Sequence, residues 1–248
     1  MTPNLIRTVL SSMRIHGVRC LLMGGQACVF YGAAEFSRDT DFLLLASPAN
    51  LDRFRAALAS LRAERIAVPP FETDYLRRGH AIHFRCQHPD AAGFRIDVMS
   101  VLRGMAPFDE LWEHRITIET NDGDTIELLS LEDLVLAKKT QRDKDWPMLR
   151  RLVEVHYLSN RSHPTSAQIE WWLAELRTAT LLIETVLRHP DAARALAGRR
   201  PAVACAIEGD VHRVEMALIE EERAAREADR RYWLPLRQEL EQLRHGQR

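Results

Sequence analysis

The stretch from Val18 to Leu45 constrains this chain more than any other. Val18 to Met23 is a compact apolar run that predicts a buried strand. Gly24-Gly25 break it, and Gln26 to Tyr31 predict a short helix that stops at Gly32. Thr40 to Leu45 predict a second strand, with Asp39-Thr40-Asp41 at its start. Residues i and i+2 of a strand point to the same face, so Asp39 and Asp41 present two carboxylates side by side. Two anions so placed repel each other unless a cation compensates. A hard divalent ion such as Mg²⁺ takes a few such oxygens and keeps room for waters and phosphate oxygens.

A third acid fits this scheme. Asp97 lies inside the apolar strand Phe94-Arg95-Ile96-Asp97-Val98-Met99, where an unpaired carboxylate is costly. If that strand lies beside the Asp39/Asp41 strand, three carboxylates converge. They would hold two metal ions around a transferring phosphoryl group, or Asp97 would act as the general base on an acceptor hydroxyl. Gly24 and Gly25 lack Cβ atoms and precede a helix, so backbone N–H groups there can approach a triphosphate.

The rest of the chain gives the setting. Residues 3–16 have helical periodicity, with Gly17 as the stop, and Leu51 to Leu61 form an amphipathic helix. Ala81 to Cys86 alternate as a half-buried strand does, and with Phe94 to Val101 they predict an antiparallel hairpin. Arg115 to Leu129 predict two short strands turning at Asn121-Asp122-Gly123. Ser130 is the expected N-cap of a helix running to about Arg142. From Trp146 onward nearly everything reads as helix, ending in a long charged helix from Val211 to about Leu243. The expected class is α/β or α+β: a small mixed sheet with flanking helices over residues 1–145, then a helical part over 146–248.

In this order the motifs resemble the DNA polymerase β-like nucleotidyltransferase superfamily. The likeness is nearest to its small prokaryotic members, which include toxins of abortive-infection and toxin–antitoxin systems. Gly24-Gly25-Gln26-Ala27, then Ser37-Arg38-Asp39-Thr40-Asp41-Phe42, then Asp97 carry it. So does the helix with Glu132-Asp133-Leu134, Lys138, Arg142 and Lys144-Asp145. The resemblance covers residues 18–150. It implies Mg²⁺ or Mn²⁺ on Asp39, Asp41 and Asp97, and a nucleoside triphosphate such as ATP as substrate. It also implies transfer of a nucleoside monophosphate to an RNA 3′ end, a protein or a small molecule. Gly24, Gly25, Ser37, Arg38, Lys138, Arg142 and Asp145 would bind the nucleotide, with Lys138 also catalytic. Lys138 and Arg142, four apart on one helix face, would neutralise the β- and γ-phosphates; Lys139 competes with Lys138 for that place.

Blander readings compete at each position. A DxD pair arises in solvated turns, Asp97 has Arg95 and Arg103 as candidate ion-pair partners, and Lys138, Arg142 and Asp145 suit an ordinary charged helix surface. The ten histidines show no spacing that makes a metal site, since His80 and His83, three apart in a strand, face opposite ways. Two other functions stay open: a non-catalytic nucleotide- or partner-binding protein on the same scaffold, and a different metal-dependent phosphoryl-transfer enzyme such as a nuclease.

The net charge of −1 gives no global basic field for nucleic acid. The first ten residues lack a signal-peptide pattern, no apolar run reaches membrane-spanning length, and the four cysteines form no CxxC pair. The expectation is therefore a cytoplasmic protein without a membrane partner. A second copy or a cognate antitoxin are the protein partners this reading allows.

Overall fold

The computed structural model describes residues 4–120 and 123–246. The chain is mixed α/β, with the sheet in the first part and helices through the rest. Two compact units divide it: residues up to 137 together with 232 onward, and residues 138–231. The change in sequence character falls at 145/146.

The first unit opens with α1 (Asn4–Ile15), which ends where Gly17 adopts φ +62°. β1 (Cys20–Met23), α2 (Gly24–Phe30) and β2 (Asp39–Leu44) follow. Then come α3 (Pro48–Ser60), β3 (Glu64–Arg65), α4 (Thr73–Arg77), β4 (Ile82–Arg85) and β5 (Arg95–Met99). α5 (Phe108–Glu113), β6 (Ile116–Glu119), β7 (Thr125–Leu128) and α6 (Leu131–Ala137) complete it. β3, α4 and α5 are elements that the periodicity left unassigned. Among the described residues the sheet runs β3-β4-β5-β2-β1-β7-β6. β2 and β5 are parallel, as are β1 and β7, while the other neighbours are antiparallel. The expected hairpin of β4 and β5 and the pair β6/β7 are both present. Of the turn between β6 and β7, Asn121 and Asp122 lie outside the described residues.

Alternation sets the two faces of the sheet. Phe42 on β2, Ile82 and Phe84 on β4, and Ile96 and Val98 on β5 are buried. Phe84 meets Phe54 of α3 edge-on, with ring centroids 5.8 Å apart, and Phe71 closes the cluster. This side is the core. The intervening residues, Asp39, Asp41, His83, Arg85, Arg95 and Asp97, therefore share the opposite side. Asn50, almost fully buried, braces the strand ends. Its side chain donates to the carbonyls of Arg19 and Leu45 and accepts from the Arg19 N–H at 2.7 Å.

Helix starts follow local chemistry. Ser47 caps α3 with Pro48 at the first helical position, and the Ser130 hydroxyl accepts the Asp133 N–H at 3.1 Å at the start of α6. α6 stops at Ala137, so the predicted helix to Arg142 does not form: Lys138 to Lys144 are loop and turn. The local reason is a competing set of bonds. Thr140 N–H bonds back to the Lys138 carbonyl, and the Trp146 indole N–H donates to the Thr140 carbonyl at 2.8 Å. The side chain of Asp145 takes donors from the same loop.

The second unit contains α7 (Asp145–Asn160), α8 (Ser166–Glu175), α9 (Ala179–Arg188), α10 (Pro190–Ala197) and α11 (Pro201–Ile207). α12 (Val211–Gly246) contributes residues up to Arg231 to this unit and those from Tyr232 onward to the first. Trp172 is fully buried against Tyr157, and its indole N–H donates to His156 Nδ1 at 2.9 Å. Thr165 and Gln168 form a reciprocal capping box at the start of α8. In the first unit, Glu239 of α12 lies 2.7 Å from the buried His80 ring. That bond and the Arg78 charge hold the Glu239 carboxyl below its ordinary range, against the opposing effect of burial. No helix among the described residues is long and apolar enough to cross a membrane.

Candidate functional site

β2 lies between β1 and β5, and its register decides which side chains meet. Asp41 stands directly opposite Asp97 on β5 and opposite Met23 on β1, the residue that precedes the glycine pair. On the far side of β5, Asp97 stands opposite His83 of β4. A single row across three strands therefore reads Asp41, Asp97, His83. The neighbouring row reads Asp39, Arg95, Arg85. Both rows lie on the face turned away from the Phe54 core.

The glycine pair is fitted to this face. Gly24 has φ +68°, and a Cβ built there would lie 1.9 Å from Asp41 Oδ2. No side chain can be accommodated without displacing that carboxylate. A Cβ on Gly25 would lie 2.5 Å from Ser37 Oγ. That hydroxyl in turn lies 3.1 Å from the Asp39 main-chain oxygen and 3.2 Å from Asp39 Oδ1. Gln26, buried, donates its side-chain amide to the Ser37 carbonyl at 3.0 Å. α2 begins at Gly24, two residues earlier than predicted, and no side chain caps its first N–H groups. Arg38 is exposed.

The charges on this face are partly answered from within. Arg95 Nε donates to Asp97 Oδ1 at 2.7 Å, and His83 Nδ1 lies 2.8 Å from the same oxygen. The hydrogen bond to Asp97 is the main reason the Arg95 guanidinium is held above its usual pKa. Burial opposes this, and the charges of Asp97, Asp39 and Asp41 add to it. The pairing of Asp97 with Arg95 is the one the sequence offered as the bland alternative. Three carboxylates nevertheless occupy one face in adjacent register, a set of hard oxygen donors suited in chemistry to Mg²⁺ or Mn²⁺. Among the described residues no group of three or more His, Cys, Asp or Glu side chains is gathered as a ready-made metal site.

The Lys138 region differs from the prediction. Because α6 has ended, Lys138 and Arg142 are not successive turns of one helix face. Both bond Asp145 instead: Lys138 Nζ at 3.1 Å from Oδ1 and Arg142 Nε at 2.7 Å from Oδ2. The Thr140 hydroxyl adds a third donor, at 2.6 Å from Oδ2. The Asp145 side chain is 1% exposed and that of Lys138 7% exposed. Burial pushes the Asp145 carboxyl up, but Lys138, the Thr140 hydroxyl and Arg142 outweigh it and hold the carboxyl below its ordinary range. Lys139 bonds Glu175 at 2.7 Å.

Sequence reasoning passed over His83 and Arg95 as members of the site. The usable signal was alternation: His83 lies between Ile82 and Phe84, and Arg95 lies two before Asp97, so both belong to the acid-bearing side. The histidine comparison paired His83 with His80, whereas its partner lies across the sheet. No protein-family model matches the chain, and no curated protein matches it.

Proposed function

We propose that this chain is a metal-dependent nucleotidyltransferase of the polymerase β-like kind, moving a nucleoside monophosphate from a triphosphate to an acceptor hydroxyl with release of pyrophosphate. The observation that carries the proposal is the register of Asp41 against Asp97, beside a glycine that only a side chain-free residue can be. Asp39, Asp41 and Asp97 would hold Mg²⁺ or Mn²⁺. When bound, the ion would neutralise the phosphates and stabilise the leaving pyrophosphate. The main-chain N–H groups at Gly24 and Gly25 would bind phosphate oxygens. Ser37 holds Asp39 in place, and Gln26 holds Ser37. In the alternative to metal ligation, Asp97 would accept the proton of the attacking hydroxyl. Lys138 and Arg142, which the resemblance directs at the triphosphate, are engaged with Asp145, and the proposal does not depend on them. The acceptor classes are an RNA 3′ end, a protein or a small molecule, and a toxin role has the family resemblance alone in its support.

Calorimetric titration with Mg²⁺ and each of the four nucleoside triphosphates tests the reading, run beside Asp39→Ala/Asp41→Ala. Metal-dependent binding in the wild type alone is the expected outcome. Failure of folded wild type to bind any triphosphate would sink it. A second reading has one observation in its favour: Arg95 already supplies a positive charge among the three carboxylates. On that reading the chain is a non-catalytic scaffold. It predicts partner or nucleotide binding that is indifferent to Mg²⁺ and to the double substitution.

A further inference from the structure

We infer that His83 is a positioning residue for Asp97, fixing the carboxylate through one oxygen so that the other would serve a metal ion or the acceptor hydroxyl. The inference rests on the nucleotidyltransferase reading and deepens it. Asp97 is gripped from two strands. Arg95 reaches it from β5 itself, and His83 reaches it from β4, its direct cross-strand neighbour. Both contacts fall on Oδ1. Two donors arriving from different strands at one oxygen stop the carboxylate from turning about its Cβ–Cγ bond. Oδ2 takes part in neither contact.

The chemistry also dictates what His83 must be. An ionised carboxylate only accepts hydrogen bonds, so Nδ1 must carry the proton that bonds it. The Arg95 terminal nitrogen, 3.0 Å from the same Nδ1, then has no lone pair there to donate to. It therefore adds charge to the group without adding a second bond. A neutral imidazole in the Nδ1–H form suffices for all of this. His83 is otherwise dispensable to the core: its side chain is 26% exposed, while Ile82 and Phe84 on either side carry the packing. Groups that orient a metal ligand from behind commonly matter nearly as much as the ligand.

The test compares His83→Gln with His83→Asn. The asparagine amide nitrogen occupies about the place of Nδ1, whereas the glutamine amide mimics the far ring nitrogen. Binding of Mn²⁺ alone is followed by the electron paramagnetic resonance signal of the free ion, with Asp39→Ala/Asp41→Ala as control. Thermal unfolding verifies that each variant is folded. His83→Gln should weaken Mn²⁺ binding about 10- to 100-fold, while His83→Asn should stay within about threefold of the wild type. Equal affinity in all three proteins overturns the role of His83 and leaves the nucleotidyltransferase reading standing. Equal loss in both variants also overturns it, because the donor position would then be irrelevant. Wild-type Mn²⁺ binding that is absent, or unchanged in the aspartate double variant, removes the underlying reading and this inference together.

Discussion

The carboxylate of Asp145 and the carboxylates on the β2–β5 face are treated in opposite ways. Asp145 is 1% exposed and both its oxygens are taken, by Lys138, Thr140 and Arg142. Asp97 is 12% exposed and its two donors share one oxygen. Asp39 and Asp41 sit beside it in register, partly exposed. The sealed cluster presents neither Asp145 oxygen to a ligand, and its contribution is to stability. The open face concentrates like charge in partly exposed side chains, which costs stability unless a cation arrives. Burial and satisfaction therefore separate a structural acid from a candidate ligand better than residue type does.

The contrast can be broken most sharply at Asp145. Asp145→Ala leaves the Lys138 ammonium buried without its counter-charge. It should cost about 3–5 kcal/mol in denaturant unfolding of the second unit; a loss below 1 kcal/mol would show that the cluster is not sealed in solution. The same group gives a pH dependence. Its folded carboxyl is held below its ordinary range, so its contribution is fully present above the unfolded pKa, about 3.9. It is lost as pH falls through the lowered folded value. The stability gap between wild type and Asp145→Asn should accordingly be flat from neutral pH down to about 5 and close at more acid pH.

Thr140→Val removes one of the three donors and keeps the shape. A hydrogen bond to a charged group is worth about 1.5–3 kcal/mol, and unfolding curves should fall by that amount. On the open face, Gly24→Ala forces a left-handed backbone on a residue with a Cβ, costing about 1–2 kcal/mol before any collision with Asp41. Its larger signature should be loss of metal-dependent nucleotide binding, read by calorimetry. The smallest stability change belongs to Asp39→Asn/Asp41→Asn. Removing like charges should leave stability within about 0.5 kcal/mol of wild type, or raise it, while abolishing that binding. A marked destabilisation would place these acids in the same structural class as Asp145.

Much of the first unit was legible because its signals are local. The apolar run before Gly24, the Asp39-Thr40-Asp41 alternation and the Ser130 cap each depend on neighbours a few residues away. The end of α6 was not legible. Lys138 to Arg142 have good helical composition, and what ends the helix is a set of side-chain and indole bonds organised by Asp145 and Trp146, which begin the next helix. β3, with two residues, is too short for a periodic signal, and α4 and α5 are single short turns of little amphipathic length.

What the sequence determined by itself is which side chains share a side of their own strand. Asp39 goes with Asp41, Arg95 with Asp97, and His83 with Arg85, because the two-residue period is a property of each strand alone. Which of those pairs meet was decided only by the tertiary structure. Strand order and register arise from hydrogen bonding and core packing between segments far apart in the chain, with Phe54, Phe84 and their neighbours on the buried side. That pairing set Asp97 between Asp41 and His83, and so joined three separate patterns into one candidate site.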